Sequence, residues 1–241
     1  MNIRAVIVED SRLARNELKE LLKKFEDIEL VGEAENVEEG YQLIQRENPE
    51  LLLLDINMPE KDGFELLEML DEVPFTVFTT AFDQYAIRSF EYNTLDYLLK
   101  PVSEKRFAMA MEKVRAQMDT GPQPGEKSKK LLERSQIFIK DGESCWLVKI
   151  GDVHLFEIVG NYTRVHFGEM RPLLYKSLNQ LEEKLPDTLF FRANRQQIIN
   201  TNAIENVVPW FNGKLKLTLK NGVEVEVSRR QSYIFKDRMS L

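Results

Sequence analysis

The sequence predicts an α/β domain with a five-stranded parallel sheet, followed by a mostly-β domain. Three observations support this division of the 241 residues. In the first half, short apolar runs alternate with segments of helical spacing, which is typical of βα repeats. A polar stretch rich in proline and glycine interrupts the chain near residue 120. After it come short β-branched and alternating runs separated by turn sequences, as in all-β domains.

Five apolar runs in the first half predict the strands of the parallel sheet: RAVIV, IELVGEA, LLLLDI, FTVFTTA and DYLLK. The LLLL run is apolar throughout, which indicates a central parallel strand that is buried on both faces. Between the first two runs, one helical face carries Leu18, Leu21, Leu22 and Phe25. The segment SEKRFAMAMEKVRAQM predicts the last helix of a domain of five βα units over residues 1–118.

The stretch DTGPQPGEKSKK has almost no apolar residues and predicts a linker over residues 119–135. The second domain is then expected over residues 136–241. Its strand-like runs are IFIK, CWLVKI, HLFEIVG, YTRVHF, LFFRA, IENVV, KLKLTL and VEVEVS. The segment SLNQLEEKL predicts an internal helix that begins after Ser177, a good N-cap residue. A second short helix is expected after Arg230.

Charge divides at the same place as the predicted domains. Residues 1–120 carry a net charge of −12 and the remainder carries +5, for a total of −7. A basic module attached to an acidic one is the usual electrostatic outline of a nucleic-acid binder with a control unit. The alternative is an ordinary solvated surface, since some of the positive charge comes from lysines of the linker.

Cysteine and histidine usage exclude two kinds of site. A single cysteine, Cys145, excludes an internal disulfide, and two histidines far apart in sequence, His154 and His166, argue against a histidine metal cluster. The sequence has no N-terminal signal peptide and no long apolar stretch. We therefore expect a cytoplasmic protein with no membrane partner.

Five polar residues follow strand-like runs at the points where the runs end. They are Glu9, Asp10, Asp55, Thr80 and Lys100. Because a parallel sheet gathers the carboxyl ends of its strands at one edge, we expect these side chains to converge. Carboxylates suit a hard cation such as Mg²⁺, while a hydroxyl and an ammonium suit phosphoryl oxygens. The alternative for each acid alone is a helix cap, as Asp10 and Ser11 would provide for the next segment.

These residues lie in stretches that resemble a response-regulator receiver domain: VIVEDS, LLLLDINMPEKDG, FTVFTTA and DYLLKP. The resemblance covers about the first 118 residues. It implies that Asp55 is the phosphoryl acceptor and that a sensor histidine kinase is the donor. It also implies that Mg²⁺ is bound by the side chains of Glu9, Asp10 and Asp55 and by the backbone carbonyl of Asn57.

The same resemblance implies how the domain is switched. Thr80 and Lys100 contact the phosphoryl group, Thr80 and Tyr97 form the switch pair, and the peptide bond that precedes Pro101 is cis. The switch is expected to change a helix surface between Gln84 and Asn93. Thr79, in contrast, is interpreted as a β-branched residue chosen for strand propensity.

The second half resembles a LytTR DNA-binding domain in the stretches EIVGNYTRVHF, KSLNQLEEKL, FFRANRQQIIN and NGVEVEVSRR. The resemblance implies a ten-stranded β fold that places loops and turns in successive major grooves of double-stranded DNA. Its groove-facing positions fall on Asn161, Tyr162, Thr163, Arg164, Asn194, Arg195, Gln196, Arg229 and Arg230. Arginine can bond guanine, and asparagine or glutamine can bond adenine, in bidentate fashion. For the NRQQ segment alone, a polar β turn is the alternative.

Together these patterns predict a two-component response regulator and not an enzyme. Phosphorylation of Asp55 would pair two chains as a homodimer, and the dimer would bind DNA to regulate transcription. Pairing two weak DNA modules raises avidity by about 10²- to 10⁴-fold. One alternative is a protein-interaction relay whose β domain binds a protein partner. Another is a Mg²⁺-dependent phosphohydrolase, which Asn57 argues against because such enzymes need an acid two residues after the nucleophile.

Overall fold

A computed structural model of the protein describes residues 2–81, 96–118, 130–142 and 144–239. Contacts divide the chain into two compact units. The first comprises Met1–Pro124, Gln136–Phe138 and Glu143–Leu147, and the second comprises Gly125–Ser135, Ile139–Gly142 and Val148–Leu241. The expected helix surface between Gln84 and Asn93 lies outside the described residues, as does most of the predicted linker.

The first unit is built on a parallel sheet with strand order β2-β1-β3-β4-β5. The strands are β1 (Ile3–Val8), β2 (Ile28–Ala34), β3 (Leu51–Asp55), β4 (Phe75–Thr80) and β5 (Asp96–Leu99). The helices among its described residues are α1 (Arg12–Leu22), α2 (Val37–Glu47), α3 (Gly63–Met69) and α4 (Glu104–Met118). The predicted five-stranded parallel α/β domain is therefore confirmed.

Apolar side chains project from both faces of this sheet and form one hydrophobic core on each face. One core joins alternate residues of β1 and β3 to α2 and α3, and the other joins the remaining residues to α1 and α4. All four leucines from Leu51 to Leu54 are fully buried, as the apolar run predicts. Since burial of each leucine contributes about 2 kcal/mol, this run holds β3 in the centre of the sheet. Asp55, which ends the run, therefore lies at the carboxyl edge of the sheet.

The second half of the chain is mostly antiparallel. From residue 136 onward the strands are β6 (Gln136–Asp141), β7 (Ser144–Lys149), β8 (Val153–Val159), β9 (Tyr162–Phe167), β10 (Leu173–Leu174), β11 (Phe190–Arg192), β12 (Gln197–Asn200), β13 (Ile204–Pro209), β14 (Leu215–Leu219) and β15 (Glu224–Val227). The helices are α5 (Leu178–Lys184) and α6 (Arg229–Met239). Over the described residues, the strands from β6 to β15 match the ten-stranded fold that the resemblance implies.

Two sheets of the second unit share one core. A five-stranded sheet in the order β10-β9-β8-β12-β11 packs on a three-stranded sheet in the order β13-β14-β15. Phe235 of α6 is buried in the same core. As predicted, α5 begins after Ser177, whose hydroxyl accepts a hydrogen bond from the backbone N–H of Gln180. Among the described helices, none has the length and the apolar composition needed to cross a membrane.

Candidate functional site

Three carboxylates meet at the carboxyl edge of the parallel sheet. Glu9 and Asp10 follow β1, and Asp55 ends β3, the strand that pairs with β1. Glu9 and Asp55 are buried and Asp10 is exposed. One oxygen of each carboxylate lies within 4.8 Å of the others. Oxygen donors at this spacing suit a hard cation, so these residues fit the Mg²⁺ ion that the sequence predicts.

Lys100 follows β5, and its ammonium lies between two of these carboxylates. Its Nζ is 2.8 Å from Asp55 Oδ2 and 2.7 Å from Glu9 Oε2. Burial raises the pKa of Glu9, and the nearby charge of Asp55 adds to this effect, although the Lys100 hydrogen bond opposes both. Burial alone would lower the pKa of Lys100, but its ion pairs with Asp55 and Glu9 outweigh burial and raise the pKa. Lys100 is therefore a fixed cation beside the carboxylate of Asp55, the predicted acceptor.

Thr80 and Asn57 complete the predicted group of site residues. Thr80 ends β4 with its side chain buried, and Asn57 Nδ2 lies 3.4 Å from Thr80 Oγ1. The backbone N–H of Asn57 donates to Asp55 Oδ1 at 3.1 Å. The backbone N–H of Lys100 donates to the Thr80 carbonyl at 2.8 Å, and the peptide bond that precedes Pro101 is cis. The structure thus brings together the predicted acceptor, metal-ligand and phosphoryl-contact residues.

Tyr97, the predicted switch aromatic, is half-buried on β5 and pairs in register with Phe78 of β4. Its backbone carbonyl accepts a hydrogen bond of 3.1 Å from Arg106 Nη2. Arg106 and Lys113 of α4 both pair with the buried carboxylate of Asp96. Burial would raise the pKa of Asp96, but these two cations outweigh burial and hold the pKa below its ordinary value. These contacts tie α4 to the strand that carries Tyr97.

Two residues around the predicted acceptor make contacts that the sequence alone did not suggest. The hydroxyl of Thr79 lies 3.4 Å from Glu9 Oε2, so Thr79 supplies a donor to a buried carboxylate as well as strand propensity. Gly63 begins α3, and a Cβ built on it would lie only 2.3 Å from the backbone oxygen of Asp55. Glycine at this position therefore allows α3 to start directly against the backbone of Asp55.

Arg15 of α1 is a third residue that the sequence analysis missed. It is only 4% exposed. Its Nη1 donates to the backbone carbonyls of Glu9 at 2.6 Å and Asp10 at 3.0 Å, and its Nη2 pairs with Glu35. Arg15 therefore holds the backbone that carries the acidic pair. A signal was present, because Arg15 shares the helical spacing of the buried residue Leu18.

The first predicted DNA-facing segment, residues 161–164, forms the turn after β8 and the start of β9. Tyr162 is exposed and Arg164 is half-buried. Thr163 is buried, and its hydroxyl donates to the backbone carbonyl of Lys176 at 2.6 Å. Because successive strand residues point to opposite faces, Thr163 cannot share a surface with its two neighbours. The hydroxyl of Thr163 is thus engaged inside the domain, and its contact with DNA stays a prediction.

The other two predicted DNA-facing segments lie in the loop between β11 and β12 and in the first turn of α6. They expose Arg195, Gln196, Arg229 and Arg230. A backbone hydrogen bond of 3.0 Å from Ser228 to Ala193 joins the bases of the two segments. Asn194 is only half-buried, but its side-chain amide is bonded within the second unit. Two basic segments are thus held side by side.

Comparison with known families agrees with both resemblances. Residues 5–112 match the response regulator receiver domain, and residues 143–240 match the LytTR DNA-binding domain. "Sensory transduction protein LytT" of Enterococcus faecalis is 34% identical over 239 residues and covers 98% of each chain. "Transcriptional regulatory protein LytR" of Staphylococcus aureus is 34% identical over 251 residues, which cover 99% of this chain and 100% of that protein. The chain therefore belongs to the LytT/LytR family of response regulators, in which a receiver domain is joined to a LytTR DNA-binding domain, and it is a regulator rather than an enzyme.

Proposed function

We propose that Asp55 is phosphorylated by a sensor histidine kinase and that the phosphorylated protein binds double-stranded DNA as a homodimer to regulate transcription. The observation that carries this proposal is the group of three carboxylates within 4.8 Å, with Lys100 Nζ 2.8 Å from Asp55 Oδ2. Anions held this close repel one another and an incoming phosphoryl group. Cations must therefore neutralise the three carboxylates before Asp55 can accept a phosphoryl group.

In the transfer step, an Asp55 oxygen attacks the phosphorus of a phosphohistidine on the kinase. The new P–O bond forms as the P–N bond breaks. The electron pair of the P–N bond stays on the histidine nitrogen, which takes up a proton. The Lys100 ammonium stabilises negative charge on the transferred group, and the Thr80 hydroxyl is available to donate to a phosphoryl oxygen. Both side chains therefore favour the acyl phosphate product.

The side chains of Glu9, Asp10 and Asp55 and the backbone carbonyl of Asn57 would hold Mg²⁺. Neutralisation of the carboxylates and of the transferring group is the chemistry that bound Mg²⁺ supplies. Arg15 supports these ligands because it holds the carbonyls of Glu9 and Asp10 in place. Its role is to position the ligands, since it touches none of the reacting atoms.

The output of phosphorylation is a shift between two packings of the receiver domain. Thr80 would move toward the new phosphoryl group, and Tyr97 would turn into the space that Thr80 vacates. Support comes from the adjacency of β4 and β5 and from the hydrogen bond of Arg106 to the Tyr97 carbonyl. A change at Tyr97 would therefore reach α4 and the surface through which two receiver domains pair.

The DNA-binding surface would use residues of the second domain, whose limits we place at 136–241 after a receiver at 1–118 and a linker at 119–135. Exposed Arg195 and Gln196 would read bases, and Arg229 and Arg230 would neutralise phosphates. Asn161, Tyr162 and Arg164 would form a further contact. The positive net charge of the second half supports binding to a polyanion.

Intact mass spectrometry after incubation with acetyl phosphate and Mg²⁺ tests the acceptor. The mass should rise by one phosphoryl group, and the gain should disappear in Asp55→Ala and after removal of Mg²⁺ by EDTA. Asp62→Ala is a matched control, because Asp62 caps α3 and lies outside the carboxylate group. Equal labelling of Asp55→Ala and the wild type would contradict the assignment.

Sedimentation of the labelled protein tests the switch. The wild type should shift toward dimer on phosphorylation, while Thr80→Ala should accept the phosphoryl group and remain largely monomeric. Equal dimer content in the two proteins would exclude Thr80 as the coupling residue. A mobility shift with DNA from upstream of its own gene separates a transcription regulator from a protein-interaction relay, since the relay would bind no duplex.

A further inference from the structure

The side chain of Asn194 makes three hydrogen bonds within the second unit. Its Nδ2 donates to Gln197 Oε1 at 2.9 Å and to the backbone carbonyl of Glu226 at 2.8 Å. Its Oδ1 accepts the backbone N–H of Gln196 at 2.8 Å. The backbone carbonyl and the backbone N–H fix which end of the amide is which, because a carbonyl only accepts and an N–H only donates.

These bonds occupy the donors that Asn194 would need to read adenine. A bidentate contact to adenine needs one N–H donor and one acceptor from the same amide. A side-chain amide has two N–H donors, and both donors of Asn194 are already engaged. A base contact would therefore require the loss of a hydrogen bond inside the domain. The hydrogen bonds of Asn194 therefore favour a role in holding the loop over a contact with DNA.

The bonds of Asn194 continue across the sheet. Gln197 Nε2 donates to Glu157 Oε1 at 3.0 Å, and Glu157 Oε2 lies 3.4 Å from His166 Nε2 and 3.9 Å from Arg164 Nη1. Gln197 of β12 and Glu157 of β8 are direct register partners, as are Glu157 and Arg164 of β9. Register partners share a face of the sheet, so these side chains form one line. We refer to Asn194, Gln197 and Glu157 as the polar row.

The polar row connects the three segments that the proposed function assigns to DNA. Arg164 at one end belongs to the first segment, and Asn194 at the other end begins the second. The Glu226 carbonyl, which Asn194 contacts, lies on β15, three residues before Arg229. Glu157 thus lies between Arg164 and Gln197, and it accepts a hydrogen bond from Gln197.

The exposed residues next to Asn194 differ from it. The side chains of Arg195 and Gln196 make no hydrogen bond or ion pair with any residue that the structure describes. Their backbone is held firmly, because Arg192 Nη2 donates to the Arg195 carbonyl at 2.7 Å and the Ile158 N–H donates to the Gln196 carbonyl at 2.9 Å. The loop therefore presents two available side chains on a fixed backbone.

We propose that the polar row is a positioning network, that Arg195 and Gln196 contact the bases, and that Asn194 does not. This inference rests on the proposed function, since it concerns how the same DNA surface is built. Asn194, Gln197 and Glu157 act through the loop and its neighbours rather than on DNA. Loss of Asn194 or of Gln197 should then disturb the same geometry and impair binding together rather than independently.

Binding isotherms of the full-length protein test the inference on a duplex that the wild type enriches from a random-sequence pool. Asn194→Ala and Gln197→Ala should each weaken this complex, on the order of tenfold, and the double variant should be no weaker than either single variant. Asn221→Ala is a matched control, because Asn221 also accepts a backbone N–H two residues ahead, in a different turn. Its affinity for the duplex should equal that of the wild type.

Replacement of single purines in the duplex by 7-deaza analogues distinguishes positioning from contact. Where a protein side chain bonds N7 of a purine, the wild type binds the 7-deaza duplex more weakly. A variant without that side chain binds the normal and the 7-deaza duplex equally. Arg195→Ala should become insensitive at one guanine, whereas Asn194→Ala should keep the sensitivity of the wild type at every position. Insensitivity of Asn194→Ala at one adenine would overturn the inference.

Two further outcomes keep the tests separate. Failure of the wild type to enrich any sequence would contradict the proposed function, whereas additive losses in the double variant would contradict the polar row alone. If Asn194→Ala unfolds, Gln197→Glu replaces it. That variant keeps an acceptor for Asn194 but sets a carboxylate against Glu157, and it should weaken binding with unchanged sensitivity to every analogue. Wild-type affinity of folded Gln197→Glu would also overturn the inference.

Discussion

The ammonium of Lys100 lies 2.8 Å from Asp55 Oδ2 and 2.7 Å from Glu9 Oε2, so one cation bridges the proposed acceptor and a proposed metal ligand. Lys100→Ala should lower the rate of labelling by acetyl phosphate by about 10²-fold, because it removes a fixed charge from the transition state. Lys100→Arg should recover only part of the rate, since a planar guanidinium does not replace a compact ammonium. Time-resolved intact mass measures both rates. Full activity of Lys100→Ala would contradict this role.

Arg15 should affect the affinity for the metal. Arg15→Ala releases the carbonyls of Glu9 and Asp10, and supporting residues of this kind typically change metal affinity by about 10- to 100-fold. The Mg²⁺ concentration for half-maximal labelling should rise accordingly, and direct Mn²⁺ binding measured by electron paramagnetic resonance should weaken in parallel.

Lys19→Ala is the matched control for Arg15. Lys19 lies on the same helix and also pairs with Glu33, but it has no hydrogen bond to the acidic pair among the described contacts. Its Mg²⁺ dependence should equal that of the wild type. A similar loss in both variants would show that general destabilisation of α1, rather than support of the acidic pair, explains the effect of Arg15.

Asp96 should stabilise β5 in a pH-dependent way. Its folded-state pKa is lowered, so the stabilisation is present above the unfolded pKa of about 4 and is lost as pH falls through the folded value. Asp96→Asn should therefore destabilise β5 by about 2 kcal/mol at pH 7, and the difference from wild type should shrink in acid. Hydrogen exchange of the β5 amides in both proteins measures this difference in stability. Asp27→Asn, at a more exposed pair with Arg115, should have a smaller effect.

Arg195 and Arg230 should have different effects on DNA binding. If Arg195 contacts a base, Arg195→Ala should cost about 1 to 3 kcal/mol on the enriched duplex and much less on a scrambled one. If Arg230 neutralises phosphate, Arg230→Ala should weaken both duplexes alike and reduce the salt slope by about one unit. Isotherms at several salt concentrations decide between these effects. Wild-type affinity of both variants would remove the proposed DNA surface.

Strand periodicity and strand-end chemistry made the receiver half predictable. Apolar runs mark each strand, and the carboxyl ends of parallel strands lie at one edge of the sheet. Glu9, Asp55 and Lys100, which end or follow such runs, could therefore be grouped from the sequence alone. Arg15 escaped because a buried arginine is rare, so an arginine in a helix suggests a solvated side chain rather than one that bonds two backbone carbonyls. Thr79 escaped because strand propensity already accounted for it.

The second half was less predictable because alternation alone does not settle what a polar side chain bonds. Thr163 lies between exposed Tyr162 and half-buried Arg164, and its own burial became clear only from the register of β9 and from its hydrogen bond to Lys176. Asn194 has the right chemistry to read adenine, but its side-chain amide donates hydrogen bonds to Gln197 and to the backbone carbonyl of Glu226. Glu226 is 32 residues away in sequence. Such long-range hydrogen bonds leave no local pattern in the sequence.

Control of DNA binding by phosphorylation of Asp55 is measured by isotherms on the enriched duplex for wild type and Asp55→Ala, each with and without acetyl phosphate and Mg²⁺. Phosphorylated wild type should bind as two chains per site, and its affinity should exceed that of the untreated protein by about 10²-fold or more, since pairing of two modules raises avidity by about 10²- to 10⁴-fold. Asp55→Ala should show the untreated affinity in both conditions. An equal gain in Asp55→Ala, or no gain in fully phosphorylated wild type, would contradict control of DNA binding by Asp55.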